Sequence, residues 1–219
     1  MDITPESVKA LLDSDDYGSR INSVNQMRYL DPAIAVELLM EASVDDNARV
    51  RYAAVSQLAS SGGHQRDAVA SLLRTRLLTD AELDVRAAAA DSISALKLVD
   101  LFDDLKDVYC QTTDWIVRMS IVAALGELGD PRGFEILQDA LQSETDLIQT
   151  AAIGAFGELG DRRAVELICP LAESDDWQIR YRVVQALTAL GGDEAKATLR
   201  KLSDDTVEQV AQEARAGAE

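Results

Sequence analysis

Four arginines, Arg51, Arg86, Arg118 and Arg180, each directly follow a valine or isoleucine, and each has a carboxylate a few residues upstream: Asp46, Glu82, Asp114 and Asp176 in turn. A guanidinium can close a two-pronged ion pair with a carboxylate, so the set reads first as an Arg–carboxylate ladder joining neighbouring structural units. Tyr52 and Tyr181 stand one residue after their arginines, and Met119 holds the same place after Arg118. Trp115 and Trp177 each lie three residues before an arginine and directly after an aspartate, and Tyr17 occupies the equivalent position before Arg20. Such aromatics either pack over an edge of the fold or anchor a partner. Gln149 stands where a further arginine belongs. It either loosens an interface or marks drift.

More reactive chemistry lacks its residues. There is one histidine, His64 in "SSGGHQRD", which reads as a loop residue. The two cysteines, Cys110 and Cys169, fall in apolar stretches and are expected to be buried free thiols in a reducing compartment. No Ser/His/Asp or Cys/His arrangement, phosphate-binding loop or metal-ligand set can be assembled.

Charge narrows the partners. With 39 acidic and 21 basic residues the formal net charge is −18, which repels nucleic acid and anionic membrane surfaces and favours a partner offering a basic patch. Apolar residues make up 47% of the chain, ample for a core. No apolar run has the length of a membrane span, so no membrane insertion is expected. The opening "MDITPESVKALL" lacks the basic and apolar regions of a signal peptide.

The elements that position these residues repeat. "RINSVNQMRYL", "RYAAVSQLASSG", "RAAAADSISAL", "RMSIVAALGELG", "QTAAIGAFGELG" and "RYRVVQALTALGG" succeed one another at steps of 31, 35, 32, 31 and 31 residues. A period in this range without strand-like alternation predicts a helical solenoid. Around Arg118, Val117, Ile121, Ala124, Leu125 and Leu128 share one helical face; Gly129 can then cap the helix in the left-handed conformation. Asp130-Pro131 opens the next helix as cap and first residue, as Thr4-Pro5 does at the N-terminus. The expected fold is all-α: a right-handed solenoid of about seven antiparallel helix pairs, forming one continuous array over residues 1–219.

The second helix of each pair is expected to line the concave surface. Counting about 100° per residue from Val50, Val85, Val117, Ile148 and Ile179 places Tyr52, Ala87, Met119, Thr150 and Tyr181 opposite the core. Val55, Ala90, Val122, Ile153 and Val184 fall toward one side, where either a wide buried arc or an apolar groove accounts for them.

The unit D-x-x-[VI]-R-x-x-A-A-x-A-L-G-x-L-G-D-x-R-A resembles a HEAT repeat, most of all the short form of the bilin lyase HEAT-like family. The stretch from "ITPESVKALLDSDDYGSRINSVNQMRYL" to "RYAAVSQLASSG" is similar to the start of phycobilisome degradation proteins of the NblB type. That resemblance implies a cyanobacterial cytosolic protein associated with phycobilisomes. It would bind phycobiliprotein subunits, alone or through a small antenna-degradation adaptor, and detach bilin from its cysteine thioether as a carbon–sulfur lyase. Phycobilin of the phycocyanobilin type would be a ligand and not a resident cofactor. An apolar groove edged by Tyr52, Met119 and Tyr181 would suit a tetrapyrrole or a partner helix, and one or two of the arginines would clamp bilin propionates. The family carries no motif that nominates a catalytic residue. The alternative is a non-catalytic HEAT adaptor using the same face for a protein partner.

Overall fold

A computed structural model describes residues 2–218, and among these the regular structure is entirely helical. Fourteen α-helices fall into seven successive pairs: α1 (Pro5–Leu12) and α2 (Tyr17–Met27), α3 (Pro32–Ala42) and α4 (Ala48–Ser61), α5 (Arg66–Thr79) and α6 (Leu83–Ala95), α7 (Phe102–Gln111) and α8 (Trp115–Leu128), α9 (Phe134–Leu141) and α10 (Asp146–Leu159), α11 (Ala164–Ile168) and α12 (Trp177–Leu190), and α13 (Asp193–Leu202) and α14 (Glu208–Gly217). The fold is an α-solenoid of helical hairpins. The chain divides into two compact units, 1–121 and 122–219, with the division inside α8.

Local sequence sets the helix ends. Thr4 caps α1 reciprocally with Ser7, and Pro5 fills the first turn, where a missing N–H costs nothing. Asp16 and Asp176 cap α2 and α12 through their side chains. Gly129 and Gly160 take φ of 75° and 72°, the left-handed geometry that lets the chain leave α8 and α10 sharply. Beyond Gly129, however, Asp130 caps a single 3-10 turn, Pro131–Gly133, and α9 begins only at Phe134. After α6 the left-handed position is filled by Lys97, at φ 52°. There Arg66 donates to the carbonyls of Leu96 and Lys97 at 2.6 and 2.7 Å, closing off the end of the helix.

In the first unit α2, α4 and α6 stack side by side, each also packed on the other helix of its own pair. Val50, Val55, Leu58, Val85 and Ile93 are fully buried between them. Two side chains reach across the stack to a neighbouring backbone: Gln57 Nε2 donates to the Val24 carbonyl at 2.9 Å, and Ser92 Oγ to the Val55 carbonyl at 2.8 Å. In the second unit the same stacking is made by close approach. A β-carbon on Gly126 would lie 2.5 Å from the Ala155 Cα, and one on Gly157 would lie 3.0 Å from the Ala186 Cα. The first glycine of each "GELG" therefore admits the neighbouring helix, while the second turns the chain.

The side row Val55, Ala90, Val122, Ile153 and Val184 is wholly buried, so the wide buried arc accounts for it.

Candidate functional site

The arginine ladder has a more exact form than its spacing suggests. Arg51 grips Asp80 with Nε and Nη2, at 2.9 and 2.8 Å, while its Nη1 donates back to the Asp45 and Asp46 carbonyls. Arg20 holds Asp45 and Arg180 holds Asp205 in the same two-pronged way, each again capping two carbonyls of its own preceding turn. Each of the three carboxylates also accepts a backbone N–H two residues on, from Asn47, Glu82 or Val207. The acidic partner thus comes from the following turn, 25–29 residues downstream, and not from the carboxylates just upstream. Asp46 contributes only its carbonyl, while Asp114 and Asp176 are spent on the first turns of α8 and α12.

Asp80 is the most enclosed member, its side chain 1% exposed, with Arg76 as a second cation at 3.1 Å. Burial is the largest single influence on its carboxyl and pushes the pKa up. The Arg51 hydrogen bond, the Glu82 N–H and the charges of Arg51 and Arg76 together outweigh it and hold the pKa below the usual carboxylate value. The Arg180 hydrogen bond lowers Asp205 in the same sense against its burial. Arg51 and Arg180 are raised by the hydrogen bonds they give to these carboxylates.

Two candidate clamps are arranged otherwise. Arg86 Nε donates to the Leu77 carbonyl at 2.8 Å. Arg118 donates to the Tyr109 hydroxyl at 2.9 Å, with its guanidinium carbon 4.5 Å from that ring's centre. Gln149 reproduces only the inward half of the arginine's work, donating to the Leu141 carbonyl at 3.1 Å.

The positions opposite the core diverge. Tyr52 is exposed, Met119, Thr150 and Tyr181 are half-buried, and Ala87 is buried. The small side chain at Ala87 lies in a hollow of the first unit. On α4, α6 and α8 a cleft of about 540 Å³ opens over Ala87 and Ala88. Tyr52 and Arg49 stand on one side, Ile116 and Ser120 on the other, and Glu82, Asp84 and Asp91 bring carboxylates to it. A shallower hollow of about 480 Å³ shares Ala48, Arg49 and Glu82 with it and continues to Tyr17 and Arg51. The volume lies in the range of small-molecule and peptide pockets.

Of the residues offered from sequence as binding a ligand or partner, Tyr52 lines the cleft itself, and Arg51 borders the adjoining hollow. Met119, Arg86 and Arg118 stand outside the lining, while Tyr181, Arg180 and Trp177 belong to the other unit. Trp115 and Trp177 are the first residues of α8 and α12, 45% and 38% exposed; Tyr17 opens α2 in the same way. Arg49, Asp84, Asp91, Ile116 and Ser120 were not singled out. The available signal was "RAAAAD", a run of small residues in a register that holds Tyr, Met or Thr elsewhere. The cysteines correct an expectation: Cys110 is exposed on α7, and Cys169 is half-buried, with its Sγ accepting from the Thr198 hydroxyl at 3.2 Å. Both sit at or beyond the end of a short first helix, where the apolar face has run out. His64 lies exposed in a 3-10 turn, Gly62–Gln65.

Among the described residues no group of His, Cys, Asp and Glu could hold a metal ion, and no helix is long and apolar enough to cross a membrane.

A family model of HEAT repeats matches residues 4–94, 70–156 and 141–218. The chain belongs to the HEAT-repeat family. Several solved structures are similar to this HEAT-repeat protein. The complex of CpcE and CpcF of phycocyanin lyase from Nostoc sp. PCC7120 aligns at 21% identity, over 100% of this chain and 94% of that one, with a TM-score of 0.67. An engineered protein aligns at 20% identity over 99% of this chain and 67% of its own, with a TM-score of 0.60. The archaeal HEAT-like repeats protein from Thermococcus onnurineus NA1 aligns at 15% identity over 100% and 97%, with a TM-score of 0.57. At these identities the likeness is one of fold. Comparison with curated proteins finds no match.

Proposed function

We propose that this HEAT-repeat protein is a bilin-lyase-like factor that engages phycobiliproteins and promotes phycobilisome breakdown by releasing bilin from its cysteine thioether. The observation that carries the reading is the cleft over Ala87 and Ala88, walled by Tyr52, on a helical array whose fold resembles the phycocyanin lyase complex. Its floor is apolar, as a conjugated ring system needs, and Tyr52 offers both a stacking face and a hydroxyl. Arg49 is the cation available there to a propionate. The clasped Arg51 and Arg180 are already committed to Asp80 and Asp205, so they serve the array and not the ligand.

Release is an elimination. A base takes a proton from the bilin carbon next to the one bearing sulfur, a carbon–carbon double bond forms, and the carbon–sulfur bond breaks. Its electron pair leaves with sulfur, and the thiolate takes up a proton to give cysteine. Nothing is oxidised or reduced. In this reading Tyr52 relays the proton between carbon and sulfur, and the cleft's main contribution is to hold the bilin in a reactive twist.

The test is an absorbance time course with holo-phycocyanin in reducing buffer. Loss of the visible band together with recovery of a free thiol on the phycobiliprotein is expected, slowed at least tenfold in Tyr52→Phe. Co-elution with an unchanged spectrum would establish instead a non-catalytic adaptor. Absence of both binding and bleaching would remove the reading altogether.

A further inference from the structure

The walls of the same cleft carry two carboxylates that bilin release does not use. Glu82 and Asp84 line it at the start of α6, and neither carboxylate closes a hydrogen bond or ion pair among the described residues. Arg49, which lines both this cleft and the adjoining hollow together with Glu82, likewise closes no ion pair among the described residues. Both acids are exposed, and Glu82 also lies within the field of Arg51. The same lining includes the Ala87–Ala88 floor, 5% and 3% exposed, and Tyr52.

We infer that this cleft docks a basic, amphipathic segment of a protein partner: an apolar side chain seated over Ala87 and Ala88, flanked by lysine or arginine that pairs with Glu82 and Asp84. Three features argue for that occupant. The pairing satisfies two unclosed carboxylates at the rim of an apolar floor, where partial desolvation strengthens it. The net charge of −18 draws a cationic segment toward the molecule and repels an anionic one. The floor itself is too small in area to hold a partner without such flanking charges, so selectivity falls to the two acids. A dianionic bilin alone would meet Glu82 and Asp84 unfavourably, so the protein segment and not the free pigment supplies the main attraction. The inference rests on the reading that this cleft is where the phycobiliprotein is engaged, and it gives the chemistry of the contacting segment.

The experiment uses the full chain and a fluorescein-labelled amphipathic peptide of leucine, alanine and lysine, with a control peptide carrying glutamate for lysine. Fluorescence anisotropy is expected to show saturable binding of the lysine peptide alone, weakening as NaCl is raised from 50 to 300 mM, roughly tenfold or more. Glu82→Lys and Asp84→Lys, both on an exposed helix start and compatible with folding, should each reduce affinity by about tenfold. Arg49→Glu should raise it. Equal binding of the two peptides, no binding of either, or binding indifferent to both lysine variants overturns the inference. The same variants mixed with holo-phycocyanin separate the two readings. Bleaching that survives Glu82→Lys and Asp84→Lys sinks the basic-segment inference and leaves bilin release standing. Peptide binding without any phycobiliprotein effect does the reverse.

Discussion

At the scale of single residues, the Arg–Asp clasp separates charge pairs that matter from those that do not. Asp80 faces Arg51 and Arg76 with almost no solvent around it, so removing the carboxylate leaves two guanidiniums confronting each other. Asp80→Ala is expected to cost about 3–5 kcal/mol in urea unfolding, the usual result of orphaning part of a buried ion pair. Asp13→Ala, which breaks the exposed pair with Lys9, should leave the unfolding midpoint almost unmoved. Acid supplies an independent check. The Asp80 carboxyl titrates lower in the folded chain than in the unfolded one, where it sits near pH ~3.9. Its stabilisation is therefore complete above that pH and is lost as pH falls through the folded value. The stability gap between wild type and Asp80→Asn should stay constant from neutrality to about pH 5, then close below about pH 4, as read from urea midpoints over a pH series. The sequence showed the arginines plainly but not their partners. Guanidinium recurrence is local, whereas the accepting carboxylate lies most of a repeat further on and is chosen by how two turns come together.

At the scale of helices, the small residues divide into those that permit packing and those that merely weaken a helix. Gly126→Ala drives a methyl group into the backbone of α10 at Ala155 and should destabilise by about 1–3 kcal/mol. At Gly154 the nearest obstacle is the flexible Arg182 side chain at 3.7 Å, so Gly154→Ala should stabilise by roughly 0.5–1 kcal/mol through helix propensity. Thermal unfolding of the two variants should therefore give shifts of opposite sign. Lys97→Gly, relieving a non-glycine residue at φ 52°, belongs with Gly154→Ala and should gain about 1 kcal/mol. The helix pairs, their caps and the left-handed glycines were legible because each is a local preference written within a few residues. The packing role of Gly126 and Gly157 was not, since a helical glycine looks the same whether or not another backbone rests on it. The cleft was hidden for a related reason: Ala87 lacks what Tyr52, Met119 and Tyr181 supply in the same register. Counting around a helix locates side chains. It does not register the space left where one is small.

At the scale of the whole molecule, charge governs behaviour in solution. Self-repulsion from a net charge of −18 opposes compactness, while the buried clasps are little affected by salt. Raising NaCl from 10 to 150 mM should therefore increase the melting temperature, by roughly 2–4 °C for each kcal/mol of repulsion screened. A drop in melting temperature over that range would mean that exposed ion pairs outweigh the repulsion.

The direction of the clasps also bears on how the protein is made. Arg20, Arg51 and Arg180 all reach forward, toward aspartates that lie 25, 29 and 25 residues later in the chain. On a ribosome each such guanidinium emerges before its carboxylate by roughly 1–6 s of synthesis. During that interval it can already hold the carbonyls of its own preceding turn, which are made before it. In the first, second and sixth pairs a nascent repeat is thus tied first within itself, between its own two helices, and locked to its successor only later.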